Sequence, residues 1–305
     1  MASTPLWRIT AALPDRLARF VPAAQAVFMV GVAGAVLCTL VVCWLGWRRR
    51  SPWPPVVAAA LAVAVAVPVG VVTTQAGSGG SGNTRDTGDT LRVMALNTYF
   101  NGADDASIVA QTRRLDPDVL ILSETAPDEV AAVERGTGLV ATAPVRDTGG
   151  ASGTAVLVRQ DAATSAGTVT ADLGLTGHQT PSVQLVGQMS TEVVGVHTRP
   201  PAYSDLIGGW SRDLGTLREE FAGSESPVVL AGDFNATVAH PEFRDLLDTA
   251  GLTDCGGGLT APTWPDRFPL VRIDHILVRD ATCTDGGTVQ VDGTDHRGVW
   301  ADVTF

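Results

Sequence analysis

The sequence predicts an α/β domain, two sheets covered by helices, standing behind an N-terminal membrane region. Three observations carry this reading. Across residues 91–305, short apolar runs rich in β-branched residues alternate with stretches of helical periodicity. Residues 20–74 contain two long uncharged runs, and the stretch that follows them, AGSGGSGNTRDTGD over residues 76–89, is poor in apolar side chains. The remaining stretch of about 220 residues is long enough for one sizeable core.

The first element is a membrane span over about residues 21–47, which at ~1.5 Å per residue exceeds a hydrocarbon core of ~30 Å. A second span follows Pro54 and Pro55 over about residues 55–74, with Pro68 as a kink inside it. A cleaved signal peptide fits poorly, because there are two runs and the first is longer than an apolar region of roughly 7–15 residues. The chain therefore divides into a membrane region (1–76), a flexible linker (77–90) and a domain (91–305). Orientation is contested within the sequence. The arginines flanking the spans on the domain side (Arg8, Arg16, Arg19, Arg85, Arg92) outnumber the triplet Arg48, Arg49 and Arg50 between them, which by count places the domain in the cytoplasm. The triplet abuts both spans, however, and by position stays inside. We follow position, which makes this a cell-membrane protein with its domain outside.

Within the domain, strands are expected at residues 91–96, 119–122, 155–158, 182–188, 193–196, 228–231, 273–278 and 298–305. Helices are expected at 106–115, 128–135, 205–221 and 241–249, with Thr125 as the N-cap of the second. Composition excludes several chemistries. All 21 basic residues are arginine, so a P-loop, a protein-kinase site and a lysine Schiff base are absent. No Cys-x-x-Cys or His-x-x-x-His spacing exists to hold structural zinc. Residues 77–305 carry 15 arginines against 31 acids, a balance of −16 that disfavours a stable nucleic-acid partner bound through basic patches. Neither span holds a charge that would couple an ion, which leaves a transport role without support.

The polar residues fall in a pattern. Apolar runs end in Asn97, Glu124, His197 and Asp233, with Asn235 two residues further on; Asp274 follows Arg272, and Asp295 and His296 precede the last strand. Strands whose carboxyl ends meet at one edge would gather these groups into a cleft. Each has a structural alternative: Glu124 as a helix-start acid, Asp233 and Asn235 as an Asx turn, His197 as a satisfied strand-end histidine, and Asp295 and His296 as parts of a solvated loop. Together they require six coincidences in one chain order.

That order, ALNTY, LILSET, GVHTRP, GDFNAT, RIDHIL and DHRGVW, resembles the endonuclease/exonuclease/phosphatase superfamily over about residues 90–305. The resemblance implies a four-layer α/β/β/α sandwich and metal-dependent hydrolysis of phosphoric esters. It departs from the pattern in two places: His275 stands where an aromatic residue is frequent, and there is little room for long DNA-clamping insertions. The roles it implies are Glu124, with Asn97 and Asp295, for a hard divalent cation, Mg²⁺ or Mn²⁺. Asp233 orients or deprotonates water, Asn235 and His197 contact phosphoryl oxygens, and Asp274 holds His296 as phosphate ligand or acid/base partner. The substrate is a phosphoester: a lipid head group, a nucleic acid or a cell-envelope phosphate. The alternative is a catalytically inactive scaffold that holds a phosphorylated ligand in the same cleft. Trp264 is either a stacking platform or a packing residue, and Arg199 and Arg272 either contact phosphate or pair with acids.

Cys38 and Cys43 fall in the first span, leaving Cys255 and Cys283 as the only two cysteines of the domain. An even pair predicts a disulfide, between two loops beside the site; two unrelated buried thiols are the alternative.

Overall fold

The computed structural model describes residues 90–148, 152–160, 172–185, 190–201, 204–255 and 261–305. The two predicted spans and the linker up to residue 89 lie outside these. Among the described residues no helix is long and apolar enough to cross a membrane.

Among the described residues, eleven strands and four helices make up the domain. In chain order they are β1 (Thr90–Asn97), α1 (Asp105–Leu115), β2 (Val119–Ser123), α2 (Pro127–Thr137), β3 (Leu139–Ala141), β4 (Thr154–Arg159), β5 (Ser182–Leu185), β6 (Thr191–His197), α3 (Ser204–Phe221), β7 (Val228–Asp233), α4 (Pro241–Ala250), β8 (Thr253–Cys255), β9 (Asp274–Arg279), β10 (Thr282–Val289) and β11 (Gly298–Thr304). One sheet has the order β10-β11-β1-β2-β4-β3, the other β5-β6-β7-β9-β8. Both are mixed: β1 and β2 are parallel, as are β6 and β7, while β11 and β9 run against them.

Alternation along the central strands explains the layering. In β1, Val93 and Ala95 join Ile121, Val156, Val193, Val229, Ala231 and Ile276 in a cluster between the sheets. The intervening Met94 and Leu96 face the other way and pack with Ile108, Leu115, Val130 and Val133 of α1 and α2. The outer face of the second sheet, through Val194, Val196 and Leu230, meets Trp210, Leu214, Leu217, Phe243 and Leu246 of α3 and α4. Three interlayer cores define four layers, α/β/β/α. Among the described residues, all three are built within 91–305.

The helix ends follow local chemistry. Asp104 caps α1 by accepting from the Ala106 N–H, and Arg113 and Arg114 sit in its last turn. Pro127 starts α2 and Pro241 starts α4, and both helices stop at left-handed glycines, Gly138 and Gly251. The N-cap of α2 is Ala126 rather than Thr125. The Thr125 hydroxyl instead donates to the buried Glu129 carboxylate at 2.5 Å.

Cys255 and Cys283 are bonded, with Cα atoms 5.6 Å apart. The expected loops are strands: Cys255 ends β8 and Cys283 lies in β10, so the bridge joins an edge of each sheet. It also sits away from the predicted site. Cys283 pairs with Val303, which pairs with Leu91, near the opposite end of β1 from Asn97.

Candidate active site

The strand directions assemble the site. In the first sheet Asn97 pairs with Ser123, which Glu124 follows directly, and in the second His197 pairs with Asp233. Parallel neighbours therefore deliver their last residues to one edge. The antiparallel strands deliver their first residues to the same edge: Asp274 opens β9 opposite Asp233, and Asp295 and His296 immediately precede β11. All eight predicted residues meet here.

Asn97 is the hub between the sheets. Its Nδ2 donates to Glu124 Oε1 and to Asp233 Oδ2, each at 3.0 Å, and its Oδ1 accepts from the Tyr99 N–H at 2.9 Å. Glu124 Oε2 accepts from the Phe100 N–H at 3.0 Å. Asp233 also takes the Asn235 N–H on Oδ1 at 2.8 Å and the Asn235 Nδ2 on Oδ2 at 3.1 Å. His197 Nε2 lies 3.6 Å from Glu124 and 3.9 Å from Asp233, while His296 Nε2 approaches Asp233 at 4.0 Å and Asp295 at 3.8 Å. His296 Nδ1 bonds Asp274 Oδ2 at 2.9 Å.

Backbone geometry there is unusual. Glu124 and Asn235 are left-handed (φ 56° and 47°), as are Tyr99, Phe100 and Asn101 (φ 55°, 55° and 60°). Such conformations disfavour residues with a Cβ and concentrate at functional sites. Gly232 has φ 141°, and a Cβ at its position would lie 2.0 Å from the Val196 carbonyl oxygen, so only glycine fits before Asp233.

Two histidines flank Asp233 with opposite tendencies. Burial drives His197 well below the usual histidine range, with positive charge at His178 and His296 adding to the effect, so His197 is neutral. Burial would lower His296 as well, but the charge and hydrogen bond of Asp274, helped by Asp233 and Asp295, push it up to about 10. Burial raises Asp233, and Asp274 raises it further, against the opposing influence of His296, Asn235 and Asn97. Burial likewise raises Glu124.

Among the described residues one cluster brings metal-ligating atoms together. Asp233, Asp274 and His296 bring ligand atoms within 4.8 Å of one another. In that set His296 commits Nδ1 to Asp274. Glu124 and Asp295 present carboxylate oxygens, the donors a hard dication takes. Asp295 Oδ1 is buried with no hydrogen-bond partner, and Trp264 Nε1 holds the other oxygen at 3.0 Å. These residues fit such an ion. Asn97, the third residue expected at the ion, points its amide hydrogens at the Glu124 and Asp233 carboxylates and its oxygen at the Tyr99 N–H.

Other expectations resolve differently. Trp264 both braces Asp295 and leaves its ring exposed at the mouth. Arg272 is buried away from the cleft, donating to Asp254 Oδ1 at 3.2 Å and to the Cys255 carbonyl at 2.5 Å. Arg199 donates through Nε to the Thr176 carbonyl at 2.6 Å. His275 is a satisfied core residue, bonded to Asp254 and the Ala236 carbonyl at 2.9 Å each and packed on Phe243. Three supporting residues escaped sequence reasoning. His178 stacks on His197 with centroids 4.0 Å apart. Thr294 donates to the Asn97 carbonyl at 2.7 Å and accepts from the His296 N–H, and Thr263 accepts from the Asp274 N–H. Each stands alone in a loop, where no periodicity marks it; only the adjacency of Thr294 to Asp295 is a signal, and Thr263, eleven residues before Asp274, has none.

The chain matches the model of the endonuclease/exonuclease/phosphatase family over residues 94–296. No curated protein matches it. Among solved structures it is similar to an endonuclease/exonuclease/phosphatase from Beutenbergia cavernae DSM 12333, at 21% identity and TM-score 0.55, covering 72% of each chain. A mannosyl-6-phosphatase from Bacteroides thetaiotaomicron VPI-5482 is similar at 15% identity and TM-score 0.52, covering 70% of this chain and 100% of the other. D. rerio TDP2 complexed with single-strand DNA product is similar at 16% identity and TM-score 0.52, over 71% and 99%. At these identities the structures establish a shared fold, and the family match spans most of the domain that carries the site. The chain belongs to the endonuclease/exonuclease/phosphatase family.

Proposed function

We propose that this protein is a membrane-anchored phosphoesterase that requires Mg²⁺ or Mn²⁺ and hydrolyses a phosphodiester or phosphomonoester by attack of water. The observation that carries the reading is the network at one sheet edge, in which Asp233 lies between a neutral His197 and a cationic His296 held by Asp274. Glu124 and Asp295 would hold the cation, with Asn97 positioning Glu124. When bound, the ion neutralises charge that develops on the phosphoryl group.

The chain's own residues supply the rest. Asp233 orients water and takes its proton; the burial that raises this carboxyl makes it a better base. His197 Nε2, 3.6 Å from Glu124 and 3.9 Å from Asp233, donates to a phosphoryl oxygen. Asn235 fixes Asp233 through Nδ2, which also donates to the Thr198 carbonyl, and redirects one of these hydrogen bonds to a phosphoryl oxygen. His296 donates from Nε2 to a phosphoryl oxygen or protonates the departing one, while Asp274 fixes the tautomer.

Anchoring rests on the two uncharged runs at residues 21–47 and 55–74, and an extracytoplasmic domain is supported by the disulfide. The test is hydrolysis by purified residues 77–305 of a generic phosphodiester, a phosphomonoester, DNA and sphingomyelin, with Mg²⁺ and with EDTA. Turnover that disappears in EDTA is expected. Binding of phosphorylated ligands without turnover on any ester would favour the scaffold instead.

A further inference from the structure

Among the described residues, the large apolar side chains left exposed are Tyr99, Phe100, Val140, Trp264, Phe268 and Leu270. All but Val140 come from two segments, the turn after β1 and the loop leading to β9. These segments are neighbours in space. Tyr99 and Pro265 line one cavity of about 580 Å³, together with Arg267, Thr294 and the proposed ligand Asp295. Phe268, 77% exposed, is carried on the tip of the second segment, and Phe100, 55% exposed, on the first. The apolar surface is therefore a lip around the active-site mouth.

The lip is built, not loose. Trp264 N–H donates to the Val271 carbonyl, Leu270 N–H to the Trp264 carbonyl and Phe268 N–H to the Pro265 carbonyl, which closes the second segment into a hairpin-like turn. In the first, the left-handed run from Tyr99 to Asn101 is held by Phe100 N–H on the Glu124 carboxylate and Asn101 N–H on the Glu124 carbonyl. Exposed Arg267, without an ion pair among the described residues, adjoins Phe268. Aromatic rings with an arginine beside them are the composition of a surface that settles at the head-group boundary of a bilayer.

We propose that this lip docks on a lipid bilayer, so that the phosphoester reaching the site is the head group of a membrane lipid. The inference rests on the phosphoesterase reading and on the predicted spans. The chain outside the described residues permits it. β1 separates the linker's end from Asn97 by roughly 23 Å at ~3.3 Å per residue. The thirteen residues 77–89 reach up to ~43 Å when extended and about 20 Å as a flexible coil, so the tether can turn the mouth toward the bilayer. Tethering also supplies an effective concentration near the millimolar range, which lets a small apolar lip dock despite the domain's net negative charge.

The test uses residues 77–305, which contain all three core clusters of the described residues, attached by an N-terminal His tag to nickel-chelating lipid in phosphatidylcholine vesicles with brominated acyl chains. Contact with acyl chains is read as quenching of Trp264 emission; Trp210 is fully buried, and a Trp264→Phe control isolates the signal. Quenching is expected in the parent protein and lost in a Phe268→Asp/Leu270→Ser variant. That variant should hydrolyse vesicle phospholipid at least tenfold more slowly and a soluble phosphodiester within twofold of the parent rate. Absence of quenching in the parent overturns the docking, whatever the activity. Hydrolysis of the soluble ester with none of the lipid, despite quenching, overturns the lipid substrate. Quenching with hydrolysis of neither ester upholds the docking and overturns the lipid substrate through failure of the phosphoesterase reading itself.

Discussion

At Asp233 one carboxylate faces two imidazoles in different protonation states, and the difference comes from their second partners. His296 has Asp274 on Nδ1, whereas His197 Nδ1 is buried without a hydrogen-bond partner beneath the stacked ring of His178. Loss of His296 by replacement with alanine should lower turnover about 10²- to 10⁴-fold while circular dichroism stays native, and Asp274→Asn should lower it through the same histidine. Wild-type turnover in His296→Ala would remove the assigned mechanism. Glu129 provides a separate test, on stability. Burial raises its carboxyl to about 7, against the hydrogen bonds of Thr125 and Thr98 that favour the charged form. Because the folded-state value is raised from 4.5, the stabilisation is fully present below about pH 4.5 and is lost as pH rises through about 7. The difference corresponds to roughly 3 kcal/mol. Glu129→Gln should therefore raise the melting temperature at pH 8 and leave it nearly unchanged at pH 4.5. An identical pH dependence in the two proteins would assign the effect to other groups.

At the scale of elements, β7 shows why the site was legible and what was not. Its apolar run is buried on both faces, so the sequence marks it strongly, and the polar residue that ends it must face the cleft. The same logic exposes Asn97, Glu124 and His197. It fails for β10, TCTDGGTV, an edge strand with half-exposed positions and two glycines, whose pairing with β11 comes from tertiary contact rather than pattern. β3 and β8 are three residues each, too short for any period to register. The apolar block at residues 273–278 is recognisable as a strand, but not its direction, and the antiparallel course of β9 is what places Asp274 at its start beside Asp233. Gly232 also gains its meaning from packing. Gly232→Ala puts a methyl group against the β6 backbone and must separate β6 from β7. A destabilisation of about 3 kcal/mol or more is expected from overpacking and strain, readable as a lower urea midpoint. Unchanged stability would mean that the strands yield without cost.

For the whole molecule, the bond between Cys255 and Cys283 links the two sheets at their edges, β8 of one and β10 of the other. The cores between and around the sheets rest on apolar burial, which would hold the layers together without it. What the bridge adds is constraint on the unfolded chain. With a sequence separation of 28, loop closure contributes roughly 3 to 4 kcal/mol in the chain-entropy model. The Cys255→Ser/Cys283→Ser protein should fold to the same structure and lose about that much stability, and a loss near zero would assign the bond no energetic role. The bridge also bears on topology, because the arginines flanking the two predicted spans give opposite answers by count and by position. A cytoplasmic domain would meet a reducing pool that keeps such thiols free, whereas an exterior domain would keep the bond. In protein extracted from growing cells under acid quench, a non-reduced digest should contain the two cysteine peptides joined. Alkylation should reach them only after a reductant is added. Immediate alkylation of both residues in that extract would place the domain inside and leave the arginine count, not the position of Arg48, Arg49 and Arg50, as the determinant of orientation.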